Sequence, residues 1–64
     1  MIDARAIRLS LNLTQEQFAE RFGLSTSTLR QWEQGRQTPD RAARALLLTI
    51  SRDPIAVENA LKSS

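Results

Sequence analysis

The chain has 64 residues, 41% of them apolar, enough for one small compact domain over residues 1–64 and no more. With no Cys and no His it lacks disulfides, thiolate or imidazole metal ligands, and the commonest general base, so an enzyme would have to work with carboxylates, hydroxyls or the lone Lys62. No run approaches the ~20 apolar residues of a membrane span, no charged-then-apolar start marks a signal peptide, and nine Lys and Arg against seven Asp and Glu leave a net charge of only +2.

Helical signals fill the chain, and no alternating β-branched run competes with them. A first helix is predicted over about residues 3–11, with Asp3 as N-cap, an apolar stripe of Ile2, Ala6, Ile7 and Leu11, and Arg5 and Arg8 beside it. The second, over 14–22, has the clearest start: Thr14 followed by Gln17 fits a capping box, and Leu13 and Phe18 occupy the positions of a hydrophobic staple. Phe18, Ala19 and Phe22 share its inner face, and Gly23 follows as a left-handed C′ residue. A third helix spans 25–34, capped by Ser25 and closed by Gly35. The fourth, over 39–51, is expected to start with Thr38 as cap, Pro39 at the first helical position and Asp40 near the positive dipole end; Ala42, Ala45, Leu46 and Ile50 form its stripe. Asp53-Pro54 opens a short fifth helix over 54–61 carrying Ile55, Val57, Ala60 and Leu61. The fold class is all-α, with five short helices.

The second and third helices meet across Gly23-Leu24-Ser25, a tight glycine-bearing turn of the helix-turn-helix kind. On a helical wheel of the third helix, Leu29, Trp32 and Ser25 share one side. Ser27, Arg30, Gln31 and Gln34 occupy the opposite side, which is entirely hydrogen-bonding and free of carboxylates. Arg at guanine and Gln at adenine are the pairings that base edges in a major groove accept. Glu33 falls nearer the core side, where a carboxylate requires a partner. A polar outer face is also what any small helical domain presents. The balance shifts because Thr14 and Gln15 open the preceding helix, whose free N–H groups suit a phosphate, and because Arg36 and Arg41 flank the same groove. Eight of the nine cations are Arg, the side chain suited to bidentate phosphate and guanine contacts.

The segment from Leu13 to Arg36, LTQEQFAERFGLSTSTLRQWEQGR, resembles the phage-repressor, or Xre, helix-turn-helix family without a gap. The resemblance implies a compact five-helix, lambda-repressor-like domain that binds double-stranded operator DNA as a homodimeric transcriptional repressor in the bacterial or phage cytoplasm, without a cofactor. It implies that Gln15 contacts a phosphate, that Thr26, Ser27 and Gln31 read bases with Thr28 and Arg30 beside them, and that Arg36 contacts phosphate. Thr14, Ser25, Gln34 and Arg41 are further phosphate candidates. Arg8 and Glu33 match a buried ion pair joining the first helix to the end of the third, an architectural rather than catalytic pair.

Trp32 reads first as core, and alternatively as an indole N–H donor to phosphate. Glu16 and Glu20 read as a solvated face, not an acid pair or metal site; no catalytic or metal-binding residue is expected. The dimer surface is expected to come from Ile50, Ile55, Val57 and Leu61, some of which must instead close the subunit's own core. Residues 39–57 are similar to HigA-type antitoxins, which repress their own operons and neutralise a partner toxin. The alternative function is therefore a protein-interaction module whose main task is gripping a toxin.

Overall fold

Short oxygen-bearing side chains start every helix of the computed structural model, which describes residues 3–62. In chain order the helices are α1 (Ala4–Ser10), α2 (Gln15–Arg21), α3 (Thr26–Glu33), α4 (Arg41–Arg52) and α5 (Pro54–Lys62). Asp3 accepts from the N–H of Arg5 at 3.0 Å and of Ala6 at 3.2 Å. At α2 the reciprocal box forms: the Gln17 N–H donates to Thr14 Oγ1 at 3.1 Å, and the Thr14 N–H donates to Gln17 Oε1 at 3.0 Å. Ser25 caps α3 through the Thr28 N–H at 3.1 Å, and Asp53 caps α5 through the Ala56 N–H at 3.1 Å.

The start of α4 corrects the expectation. Asp40, not Thr38, is the N-cap: its backbone is extended and its carboxylate accepts the Ala43 N–H at 2.8 Å. Pro39 therefore lies before the cap rather than inside the first turn. A proline with a cap-forming residue on each side fits both registers locally, and the carboxylate that satisfies an orphan N–H decides between them.

Helix ends follow one pattern. Asn12, Gly23 and Gly35 have φ of 58°, 70° and 75°, the left-handed conformation that Gly adopts freely and Asn tolerates. Behind each, the next residue's N–H reaches back to a carbonyl: Leu13 to Arg8 at 3.4 Å, Leu24 to Ala19 at 2.8 Å, and Arg36 to Gln31 at 3.0 Å.

Helices of seven or eight residues, as α1 to α3 are, do not persist alone; the core holds them. Phe18, Phe22, Leu29, Leu47 and Ile50 are fully buried, each contributing about 2 kcal/mol by leaving water. The two phenyl rings meet with centroids 4.9 Å apart at 58°, a tilted arrangement that aromatic pairs favour. Ala4, Leu13 and Val57 complete the buried set, with Ile7, Leu11, Leu24, Trp32 and Leu46 packed against it.

The inward stripe of α4 thus runs through Ala43, Leu46, Leu47 and Ile50, whereas Ala42 and Ala45, expected inside, are exposed. The register of α4 makes the difference: Leu47 shares a face with Ile50 and Ala43, and alanines at 42 and 45 have no Leu-sized contact to lose. In α1, Ala4 is buried while Ala6 is exposed, and Ile2 lies outside the described residues. In α5 only Val57 is buried; Ile55, Ala60 and Leu61 are exposed. α2 packs on α3, α4 on α5, and α1 touches both α3 and α4. Among the described residues no helix is long and apolar enough to cross a membrane.

Candidate nucleic-acid interface

The α2–α3 corner is built by Gly23, Leu24 and Ser25. The Leu24 N–H closes onto the Ala19 carbonyl, and Ala19 is itself 1% exposed, so a small side chain lies enclosed where the chain turns from α2 to α3. A Cβ on Gly23 would sit 3.8 Å from Leu61 Cδ1, an ordinary contact; the positive φ is what calls for glycine there.

From this corner α3 turns its two sides differently. Leu29 is fully buried and Trp32 is half-buried against the core, which supports the core reading of Trp32. Ser27, Arg30 and Gln34 are exposed, and Thr26, Thr28 and Gln31 are half-buried. Thr14, Ser25, Arg36 and Arg41 are exposed, and Gln15 is half-buried. Among the described residues none of Arg30, Arg36 and Arg41 is ion-paired with a carboxylate, so their charge is available to an anion. The hydroxyl oxygens of Thr14 and Ser25 accept their cap bonds, leaving each O–H free as a donor.

Glu33, on the inner side of α3, is held by two other helices. Arg8 donates from Nε to Oε2 and from Nη2 to Oε1, both at 2.8 Å, a bidentate fork on side chains only 12% and 5% exposed. The third guanidinium nitrogen, Nη1, donates to the Leu13 carbonyl at 3.0 Å. Gln15 Nε2 adds a bond to Glu33 Oε1 at 3.3 Å. The Arg8 hydrogen bonds outweigh burial, and with help from Gln15 and the nearby Arg5 charge they hold the Glu33 carboxyl below the usual carboxylate range. Glu33 also pushes the Arg8 guanidinium further into its charged range. The only carboxylate in α3 therefore presents no unpaired negative charge to the surface.

Two features escaped the sequence. The Gln15–Glu33 bond joins residues 18 apart, and nothing local marks it. The left-handed Asn12 was signalled only by its being the one Asn between two helical stripes. Glu16 and Glu20 are exposed, and no group of acidic residues among those described is placed to hold a metal.

The proposed dimer surface needs correcting. Ile50 is fully buried and Val57 nearly so, both packed into the subunit's own core between α4 and α5, so neither is available to a partner. Ile55, 69% exposed, and Leu61, 42% exposed, remain on the surface, joined by Leu48 on α4 and Leu9 on α1. Glu58 in α5 lies 3.3 Å from Lys62 and 3.8 Å from Arg21 of α2.

Comparison with known proteins agrees with this geometry. A helix-turn-helix family model matches residues 5–51. The crystal structure of an HTH XRE-family like protein from Agrobacterium tumefaciens is 48% identical, covers 95% of this chain and 98% of that one, and superposes with a TM-score of 0.91. No curated protein matches the chain.

Proposed function

The chain belongs to the Xre-like helix-turn-helix family of DNA-binding regulators, which are not enzymes, and from that membership we propose that it represses transcription by occupying an operator as a homodimer. In this reading α3 enters the major groove, with Thr26, Ser27, Thr28, Arg30 and Gln31 toward base edges. Thr14, Gln15, Ser25, Gln34, Arg36 and Arg41 lie along the flanking phosphates. The observation that supports it best is the two-sidedness of α3: Leu29 is fully buried, Ser27, Arg30 and Gln34 are exposed, and the helix's one carboxylate is neutralised by Arg8.

A single module makes too few contacts for operator-grade affinity, and paired half-sites one helical turn apart make up the difference. The subunit's longest extent, 32 Å, is on the scale of the ~34 Å between such half-sites. Ile55 is the most exposed of the large apolar side chains among the described residues and is the contact this reading assigns to that purpose. Repression then follows from blocking the polymerase, with no chemistry on the DNA.

Binding-site selection from random duplexes tests the reading. An enriched inverted repeat is expected, and recovery of no motif above the input pool refutes it. The likeness of residues 39–57 to HigA-type antitoxins supports a narrower version, in which the operon controlled is the protein's own and a toxin is a second partner. Co-purification with the product of the adjoining gene tests that version independently.

A further inference from the structure

The bonds at Glu33 constrain Gln15 as well as Arg8. Gln15 is the first residue of α2, and its amide nitrogen carries two N–H bonds. One is committed to Glu33 Oε1 at 3.3 Å. A carboxylate accepts only, so it selects the nitrogen end of the amide and excludes the flipped orientation. The same carboxylate is clamped by the bidentate Arg8, whose own position is fixed by the Leu13 carbonyl. The Gln15 side chain is thus set by a chain of bonds running through α3, α1 and the α1–α2 turn. Its second N–H is left for another acceptor, and a phosphate oxygen is an acceptor only.

Resting on the reading that α2 begins against the DNA backbone, we propose that Glu33 is a positioning residue for Gln15: it holds the amide so that the remaining N–H meets a DNA phosphate. Arg8 makes this tolerable, because an unpaired carboxylate so close to a phosphate would repel it. The arrangement ties the phosphate contact at the start of α2 rigidly to the end of the base-reading helix. A shift of α3 in the groove would therefore break the Gln15 contact as well.

The test is a double-mutant cycle on the selected operator. Gln15→Ala is measured in the natural background and in Arg8→Met/Glu33→Leu, where an apolar pair replaces the ion pair. Gln15→Ala should weaken operator binding about tenfold in the first background and less than about twofold in the second. Glu33→Gln, whose amide carbonyl still accepts from Gln15, should restore most of the tenfold effect. Equal losses in both backgrounds, or no loss in the first, overturn the proposal. Arg36→Ala serves as the reference: it should weaken binding equally in both backgrounds, and if neither Arg36→Ala nor Gln15→Ala weakens binding in the natural protein, the DNA-facing orientation itself fails. Should the double variant not fold, the natural protein decides by NMR. One Gln15 side-chain amide proton should follow the Glu33 carboxyl titration and the other should follow added duplex. If neither follows the titration, the proposal is lost.

Discussion

Arg8 and Leu13 bond to each other twice: the Leu13 N–H donates to the Arg8 carbonyl at 3.4 Å, and Arg8 Nη1 donates to the Leu13 carbonyl at 3.0 Å. The reciprocal pair closes the turn around Asn12 and aims the other guanidinium nitrogens at Glu33. A lysine has one ammonium and cannot span the Leu13 carbonyl and both carboxylate oxygens. Arg8→Lys should therefore destabilise the fold by about 2 kcal/mol, and Arg8→Ala by about 3 kcal/mol because Glu33 is left alone. Thermal unfolding followed by circular dichroism measures both, and an unchanged midpoint for Arg8→Ala refutes the clamp.

Acid should weaken the same clamp. The folded Glu33 carboxyl binds its proton less readily than the unfolded one, so the unfolded chain takes up more protons as the pH falls. The stabilisation is complete above the ordinary carboxylate range, starts to fade below about pH 5, and is gone once the folded carboxyl protonates. Glu33→Gln should lower stability at pH 7 and flatten its fall between pH 5 and the acid limit. Urea unfolding across that range gives the comparison; parallel curves for the two proteins would contradict the assignment.

Phosphate and base contacts are separable by salt. Roughly three neutralised phosphates per subunit give a dimer a log–log salt slope of about −5. Arg36→Ala should weaken binding to operator and random duplex alike and make the slope shallower by about 2, one phosphate in each half-site. Gln31→Ala should instead reduce the operator-to-random ratio by about 1–3 kcal/mol per half-site. Fluorescence anisotropy at several salt concentrations distinguishes them, and an operator-to-random ratio unchanged by Gln31→Ala removes Gln31 from the reading face.

The position of the α4 cap has a direct consequence. Asp40→Ala should cost about 1 kcal/mol, whereas Thr38→Ala should cost at most a few tenths. Chemical denaturation resolves a difference of that size, and the reverse order would return the helix start to Thr38.

For the proposed dimer surface, Ile55→Glu is the informative change, since the side chain is exposed and its loss leaves the core intact. The variant should keep its helical content and melting behaviour while sedimenting as a monomer and losing operator affinity. A sedimentation profile identical to the natural protein's would move the interface elsewhere.

Much of this was legible in the residues. The caps at Asp3, Thr14, Ser25 and Asp53 and the left-handed ends at Gly23 and Gly35 depend on contacts within five positions, and the structure places all of them where the sequence does. The family is carried by the run from Leu13 to Arg36, where a glycine corner, a capping box and a Trp-Glu pair fall in register. What was not legible depends on three-dimensional choices. Leu46, Leu47 and Leu48 are consecutive and equally apolar, so only docking against α1 and α5 decides that Leu47 goes inside and Leu48 stays outside. Ile50 and Val57 read as easily as partner contacts as core because a wheel shows which side is apolar, not what covers it. The Gln15–Glu33 bond needs the corner already folded before its partners are neighbours.

With α3 in the proposed role of reading helix, its length limits what one copy can know about a DNA sequence. Eight residues rise about 12 Å along the helix axis, the span of three to four base pairs at 3.4 Å each. A four-base-pair word recurs by chance about once in 256 positions, hopeless against the roughly million or more competing sites of a genome. Two words at a fixed spacing recur about once in 65,000, and the remaining discrimination must come from how easily the intervening duplex bends and twists. On the proposed reading, so short a reader would make address length a property of assembly, and substitutions far from the groove would then change which genes are found.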